Sequence, residues 1–140
     1  VRRYLSKRCL VNVEPVVRLA TFQEVDVSLK LRLRASANMI AVREKAQIFV
    51  RRFLDPYVGG IESGGWPFGA TLYAQDFGRI VAAIPEIRHV TDVRLYEVDE
   101  GRDKLFPGWE KGQGSNVLTL DKHDLFVVRH VRILSEEGEL

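Results

Sequence analysis

The feature that most constrains the fold is a ten-residue alternation of apolar and polar side chains, Val25–Arg34, with apolar residues at every odd position. Side chains of a β-strand point alternately to its two faces, so a period of two predicts a strand with one face on a core and one in water. The water-facing side would begin at Asp26 and would carry Lys30, Arg32 and Arg34 in a row. The fold must therefore contain a sheet.

Two helices are predicted after this strand. Asn38 is a suitable N-cap for the first, apolar residues recur at helical spacing over 39–54, and Pro56 ends it. The second runs from about Gln75 to Ile84, where Pro85 stops it.

Further strands are predicted from β-branched and apolar runs. They lie at Leu72–Tyr73, His89–Val98, Val117–Leu120 and Leu125–Leu134, and the polar, glycine-rich stretch 99–116 reads as a long loop. The order strand, helix, helix, strand, strand predicts an α+β fold, in which two helices pack on one face of a small, largely antiparallel sheet.

The chain of 140 residues is of single-domain size. Residues 1–14 are predicted to be the end of an upstream helix and a connector, because 1–8 has helical spacing. Residues 15–134 then form one α+β domain, and 135–140 form a frayed acidic tail. Because the first residue is Val1, we expect the chain to be a segment of something longer.

Composition argues against several functional classes. The net charge is only +2, and the basic residues mostly alternate with apolar ones, so we predict no nucleic-acid partner. The single cysteine, Cys9, cannot form an intrachain disulfide or a cysteine-based zinc site. No apolar run approaches the roughly 20 residues that cross a bilayer, so we predict no membrane insertion.

The usual catalytic and phosphate-binding patterns are incomplete. A P-loop needs a lysine after its glycines, but here 59–65 is followed by Trp66 and Pro67. Ser63 and Ser115 lie in glycine-rich segments that lack the pattern of a nucleophile elbow.

Metal and acid–base patterns are incomplete as well. His123 and His130 lack the carboxylate spacing of a zincin, and His89 is isolated from both. The carboxylate pairs, Glu97 with Asp99 and Glu136 with Glu137, lie on a strand end and in the tail, where burial would not raise a pKa. We therefore predict no catalytic residue, no metal site, no cofactor and no enzymatic activity.

The most distinctive segment is a glycine-rich loop, residues 59–70 (GGIESGGWPFGA). Trp66 and Phe68 can each bury on the order of 150–250 Å², and Pro67 stiffens the backbone between them. Either the loop plugs the chain's own core, or one of its aromatic rings reaches a neighbouring subunit. The predicted structural motif comprises Gly59, Gly60, Gly65, Trp66, Pro67, Phe68 and Gly69.

The run Phe53–Leu72 (FLDPYVGGIESGGWPFGATL) resembles the hallmark segment of baseplate J-like proteins. In that family a helix ends near Leu-x-Pro, and a Gly-Gly, a short insertion and Gly-Trp-Pro-Phe-Gly follow. The resemblance covers nearly the whole chain, through Tyr4–Leu10, Glu14–Leu33 and Ile84–Leu95. Glu86 stands where the family usually has glycine.

The resemblance is closest to the C-terminal part of the baseplate assembly protein branch, found in contractile injection systems and phage-type tails. It implies a wedge component that links the central spike or hub to the sheath through subunit–subunit contacts. The implied partners are further wedge proteins, the spike or hub, and sheath-proximal proteins of one large symmetric assembly. The implied location is a tail or injection particle assembled in the cytoplasm.

An alternative function stays open from the residues alone. The row Lys30, Arg32 and Arg34 could serve a stand-alone α+β domain that binds nucleic acid or another ligand, or it could face an acidic protein partner.

Overall fold

The structure, a computed structural model, describes residues 1–98, 114–136 and 138–139. It has the predicted α+β class, with helices and strands at the places that the periodicity indicates. The elements in chain order are α1 (Arg2–Ser6), β1 (Thr21–Leu33), α2 (Met39–Phe53), β2 (Thr71–Tyr73), α3 (Ala74–Ala82), β3 (Ile87–Glu97), β4 (Val117–Thr119), β5 (Asp124–Ser135) and β6 (Gly138–Glu139).

The main sheet has the strand order β3-β1-β5-β6, so β1 is central. β1 pairs antiparallel with β3 and parallel with β5, while β5 pairs antiparallel with the short β6. The sheet is thus mixed, and its parallel pair is joined by a connection that contains both long helices, as parallel neighbours require. β2 and β4 form a separate antiparallel pair, which lies beside the end of β3.

The apolar face of β1 forms the centre of the core, as the alternation predicts. Val25, Val27, Leu29 and Leu31 are fully buried. The two helices cover this face with their own apolar stripes: Val42, Ala46, Val50 and Phe53 from α2, and Ala74, Phe77 and Val81 from α3.

Asn38 caps α2 as predicted. Its side-chain Oδ1 accepts hydrogen bonds from the backbone N–H of Ile40 (3.0 Å) and Ala41 (3.3 Å). These are two of the four donors that a helix start leaves without an intrahelical partner, so the cap fixes where α2 begins.

The expectation that Asp26 faces water is wrong, because its side chain is fully buried. The register between β1 and β5 changes here: Val25 is opposite Val128, whereas Val27 is opposite Val131. Two residues of β5, Arg129 and His130, therefore stand against Asp26 alone, and this β-bulge turns them toward its carboxylate.

The turn after α3 forms with Glu86 at the position where baseplate J-like proteins usually have glycine. Ile87 N–H donates to Ile84 O (3.0 Å), and Glu86 O accepts from Arg34 N–H (3.0 Å). Glu86 does not have a positive φ, so the turn does not require glycine. Its carboxylate forms an ion pair with Lys45 of α2.

One end of the chain has the structure that the sequence predicts, and the other end does not. The helix α1 lies where the spacing of 1–8 predicts one. The frayed tail predicted over 135–140 is instead partly paired: Ser135 belongs to β5, and Gly138 is opposite it in β6. Most of the loop predicted at 99–116 lies outside the described residues, apart from 114–116.

Among the helices that the structure describes, none combines the length and apolarity needed to cross a membrane.

Candidate functional site: the glycine-rich loop and its grooves

The glycine-rich loop closes the C-terminal end of α2. The last carbonyl groups of a helix have no intrahelical donor, and here Phe53 O accepts two hydrogen bonds from the loop. One comes from Gly60 N–H (2.8 Å) and the other from the indole Nε1 of Trp66 (2.7 Å). The loop is therefore attached to the helix by both its backbone and its largest side chain.

The segment between α2 and the loop is held by a side-chain turn. Asp55 Oδ1 accepts from the backbone N–H of Tyr57 (2.8 Å) and of Val58 (3.0 Å). An aspartate that bonds the backbone two or three residues on is a common way to start a turn. It explains why the chain reverses directly after Pro56.

Four of the predicted motif glycines are required by geometry. A Cβ at Gly59 would overlap the carbonyl oxygens of Phe53 and Asp55. Gly60, Gly65 and Gly69 have φ of +82°, +89° and +69°, which other residues rarely adopt. The pattern of glycines is thus dictated by the path of the loop.

Trp66 is partly buried and packs against the core. Its ring meets Phe53 edge to face at 5.2 Å between centroids, and Phe126 of β5 at 6.2 Å. Phe53 in turn meets Phe77 of α3 at 5.2 Å, so the four rings join α2, the loop, α3 and β5. Such edge-to-face pairs are favourable beyond the apolar area they bury.

Phe68, only two residues away, is on the outside and 58% exposed. It lines a shallow groove of about 410 Å³ together with Val16 and Leu19 of the segment that precedes β1. Arg18, Lys122 and His123 form its rim. The rigid Pro67 between the two aromatic residues allows one ring to point inward and the other outward.

A second groove, of about 400 Å³, lies between the loop, α2 and α3. We call it the helix–loop groove. Its lining is Phe49, Arg52, Phe53, Val58, Gly59, Gly60, Ile61, Ser63, Asp76, Arg79 and Ile80. Apolar side chains supply much of the wall, and the charged groups are two arginines and one aspartate.

The motif residues predicted from sequence therefore divide between three places. Gly59 and Gly60 line the helix–loop groove, Trp66 enters the core, and Phe68 faces the outer groove. Sequence analysis did not predict Arg52, Asp76 and Arg79 as neighbours of the loop. Helical spacing alone could have placed Asp76 and Arg79 on one face of α3, but not beside α2.

The solvent face of the sheet has interleaved charges of both signs. Arg32 Nε lies 3.3 Å from Glu136 Oε2, Arg94 Nε lies 3.1 Å from Asp92 Oδ2, and Lys30 stands opposite Asp92 in the register. Acidic groups thus separate the basic ones, and this face is not a continuous basic stripe.

The histidines and serines considered as catalytic candidates are dispersed. His89 lies 4.0 Å from Glu136, and His130 lies 3.3 Å from Asp26 on the other side of the sheet centre. Ser115 donates its hydroxyl to Val117 O. Over residues 1–98 and 114–136, no three His, Cys, Asp or Glu side chains come together as a metal site would need. Asp99 and Glu137 lie outside the described residues.

A scan of protein-family models finds no match to this chain, and a search of curated protein sequences finds no significant match.

Proposed function

We propose that this chain is a structural subunit of a baseplate, in a contractile injection system or phage-type tail. The observation that supports this most strongly is how the glycine-rich loop divides its aromatic residues. Trp66 is bonded to the end of α2 and packed against Phe53 and Phe126, while Phe68 remains exposed. The loop is thus a rigid support that presents an apolar side chain outward.

The exposed apolar residues around the loop support an assembly role. Tyr57 is 77% exposed and Ile61 is 72% exposed, and Val58 and Phe68 are more than half exposed. Single exposed apolar residues are ordinary on a monomer, but several in one region indicate a surface that another protein covers. A wedge protein needs such surfaces on more than one side, which agrees with the two grooves.

The segment before β1 supports the same role. Residues 14–19 belong to no helix or strand and, within the described part of the chain, make no backbone hydrogen bond. Val16 is 74% exposed and Leu19 is 94% exposed. An apolar segment whose backbone groups are unpaired can add as a strand to a sheet of another subunit.

The resemblance to baseplate J-like proteins connects these surfaces with a particular assembly. It rests on the residues whose structural need is now explained: Gly59, Gly60, Gly65, Trp66 and Gly69. In this proposal the chain links the spike or hub to sheath-proximal proteins through its exposed apolar surfaces.

The test is to purify intact particles from the source organism and to locate the chain by electron microscopy. We expect density with this fold in the baseplate, around the central spike, in several symmetry-related copies. Particles whose baseplate is complete without this chain would contradict the proposal. A Phe68→Asp variant that folds normally should be depleted from the particles, whereas Ile48→Asp on the exposed side of α2 is the matched control.

The second candidate is a stand-alone nucleic-acid- or ligand-binding domain that uses the row Lys30, Arg32 and Arg34, of which Arg32 is paired with Glu136. Counterion release makes such binding fall steeply with salt. Titration with duplex DNA and single-stranded RNA at two salt concentrations tests it. We expect no salt-dependent binding, since Asp92 and Glu136 interrupt the basic row.

A further inference from the structure

Apolar side chains make up much of the lining of the helix–loop groove. Phe49 of α2, Ile80 of α3 and, from the segment that follows α2, Val58 and Ile61 all line it. The groove, at about 400 Å³, is in the size range of sites that hold an aromatic or branched side chain.

Asp76 is the buried charge of this groove. Asp76 is only 7% exposed, and its side chain accepts no hydrogen bond from any described residue. Its ion-pair partner among the described residues is Arg79, whose Nη1 lies 3.8 Å from Asp76 Oδ1. That separation is about 1 Å longer than a charge-assisted hydrogen bond. The contact is therefore an ion pair without a hydrogen bond.

Asp76 lies in the first turn of α3, where the helix dipole favours a negative charge. The helix dipole thus offsets part of the charge of the Asp76 carboxylate. It leaves Arg79, whose side chain is 79% exposed, with most of its five N–H donors available.

Arg52 adds a second cation on the opposite wall. Its side chain makes no hydrogen bond or ion pair with any residue in the described ranges, yet it lines the same groove as Arg79. Two arginines against one aspartate leave the lining with a net positive charge. Of the nearby acids, Asp55 is bonded to the N–H groups of Tyr57 and Val58, and Glu62 does not line the groove.

We propose that the helix–loop groove binds a segment of a neighbouring subunit that presents a carboxylate beside an apolar side chain. The apolar side chain occupies the space between Phe49 and Ile80, and the carboxylate is held by Arg52 and Arg79. Asp76 is a positioning residue, because it orients Arg79 toward the bound carboxylate. This inference rests on the proposed assembly function and names the chemistry of one contact.

Three matched probes test it on the isolated chain: 3-phenylpropanoate, its uncharged amide 3-phenylpropanamide, and the cation 3-phenylpropylammonium. Each is titrated into ¹⁵N-labelled protein while the amide resonances of the groove are followed. We expect only the carboxylate to give saturable shifts at Gly60, Ile61 and Ile80, with the amide at least about fivefold weaker. Equal affinity for all three probes, or no shift with any of them, would overturn the proposal.

Variants identify the residues responsible. Arg52→Gln and Arg79→Gln should each weaken 3-phenylpropanoate binding by about fivefold to tenfold. Arg51→Gln is the matched control, because it removes the same charge from the same helix at an exposed position outside the groove. Equal losses with Arg51→Gln would mean that only net charge matters, and the two-arginine site would be rejected.

Asp76→Asn separates positioning from simple electrostatics. If Asp76 only repelled anions, the variant would bind 3-phenylpropanoate more tightly than the wild type. If it orients Arg79, binding weakens, and Asp76→Glu restores part of it. A tighter Asp76→Asn complex would refute the positioning role. These titrations need no particle, so a negative result would leave the baseplate proposal standing, and absence from particles would leave the groove chemistry standing.

Discussion

Asp26 carries a charge into the middle of the sheet, where its carboxylate is surrounded by donors. Its Oδ2 accepts from Arg129 Nη2 (2.7 Å), and its Oδ1 accepts from Arg129 Nε (3.2 Å) and from His130 backbone N–H (3.0 Å). The carboxylate raises the pKa of the Arg129 guanidinium through this hydrogen bonding. The bulge in β5 exists at the point where these donors are needed.

Removing Asp26 should therefore be costly. Asp26→Ala leaves Arg129 and the bulge without their acceptor, and we expect the free energy of unfolding to fall by about 3–5 kcal/mol. Urea denaturation measures this. Asp92→Ala is the control, since the Asp92–Arg94 pair is exposed and its loss should cost no more than about 1 kcal/mol. Similar losses in both variants would contradict the structural role given to Asp26.

We expect different losses of stability when the two aromatic residues of the loop are replaced by alanine. Trp66→Ala removes the packing on Phe53 and Phe126 and one of the two donors to Phe53 O, so stability should fall by about 3–5 kcal/mol. Phe68→Ala removes an exposed ring and should change stability by less than about 1 kcal/mol. Thermal denaturation of both variants measures the two losses of stability. A Trp66→Ala protein that unfolds like the wild type would mean that the tryptophan lies outside the core.

Residue identities alone could not distinguish these roles. The alternation places Asp26 in water, because a period of two cannot indicate that a neighbouring strand bulges to meet it. The motif contains both Trp66 and Phe68, but which ring turns inward depends on where α2 ends and on its free carbonyl groups.

The glycine-rich loop behaves as an extension of α2. Gly65 has φ +89°, and a Cβ there would lie 2.8 Å from the carbonyl oxygens of Pro56 and Tyr57. Gly65→Ala should therefore lower stability by about 2 kcal/mol or more. The adjacent Gly64 has open space around its Cβ position, so Gly64→Ala should stay within about 1 kcal/mol of the wild type. Chemical denaturation that ranks the pair in the reverse order would contradict the loop geometry.

The ion pair between α2 and the turn after α3 gives a pH dependence. The hydrogen bond from Lys45 lowers the pKa of Glu86 below its ordinary value of 4.5, and partial burial opposes this to a smaller extent. A carboxylate whose pKa is lowered on folding stabilises the protein above its unfolded value, and this contribution disappears as the pH falls through the folded value. It should therefore be complete at neutral pH and be lost below pH 4.5.

Melting curves of the wild type and Glu86→Gln, taken from neutral pH down to about pH 3, test this. We expect the wild type to be more stable at neutral pH and the difference to shrink under acid. Lys45→Met should show the same small, pH-dependent loss. A difference that grew as the pH fell would reverse the sign and contradict the role of Lys45.

Most elements could be predicted because their causes are local. Asn38 and Pro56 mark the limits of the first long helix, and the apolar period identifies β1. The pairing of Gly138 with Ser135 was missed, because an acidic composition indicates solvation and says nothing about a short hairpin. The ion pair of Glu86 could not be predicted either, since its partner Lys45 is distant in sequence.

At the scale of the whole molecule, the α+β fold class could be predicted from the sequence. The directions of the strands could be predicted only in part. Two helices on one face of a small sheet follow from the order and the periods of the elements. The parallel pairing of β1 with β5 does not follow from them. It depends on the path of the connection through α2 and α3, which determines the direction in which β5 enters the sheet. The grooves beside the glycine-rich loop arise from that same packing, which is why sequence analysis identified the loop but not Arg52, Asp76 and Arg79.

The parallel pair also determines when the sheet can be completed during synthesis. β1 leaves the ribosome about a hundred residues before one of its two neighbours, which spans Asp124–Ser135. Until then the buried charge of Asp26 has no Arg129, and one edge of the central strand is open to other nascent chains. A protein of this design is most exposed to misassembly in the interval before β5 appears, so premature termination within β5 should yield insoluble product.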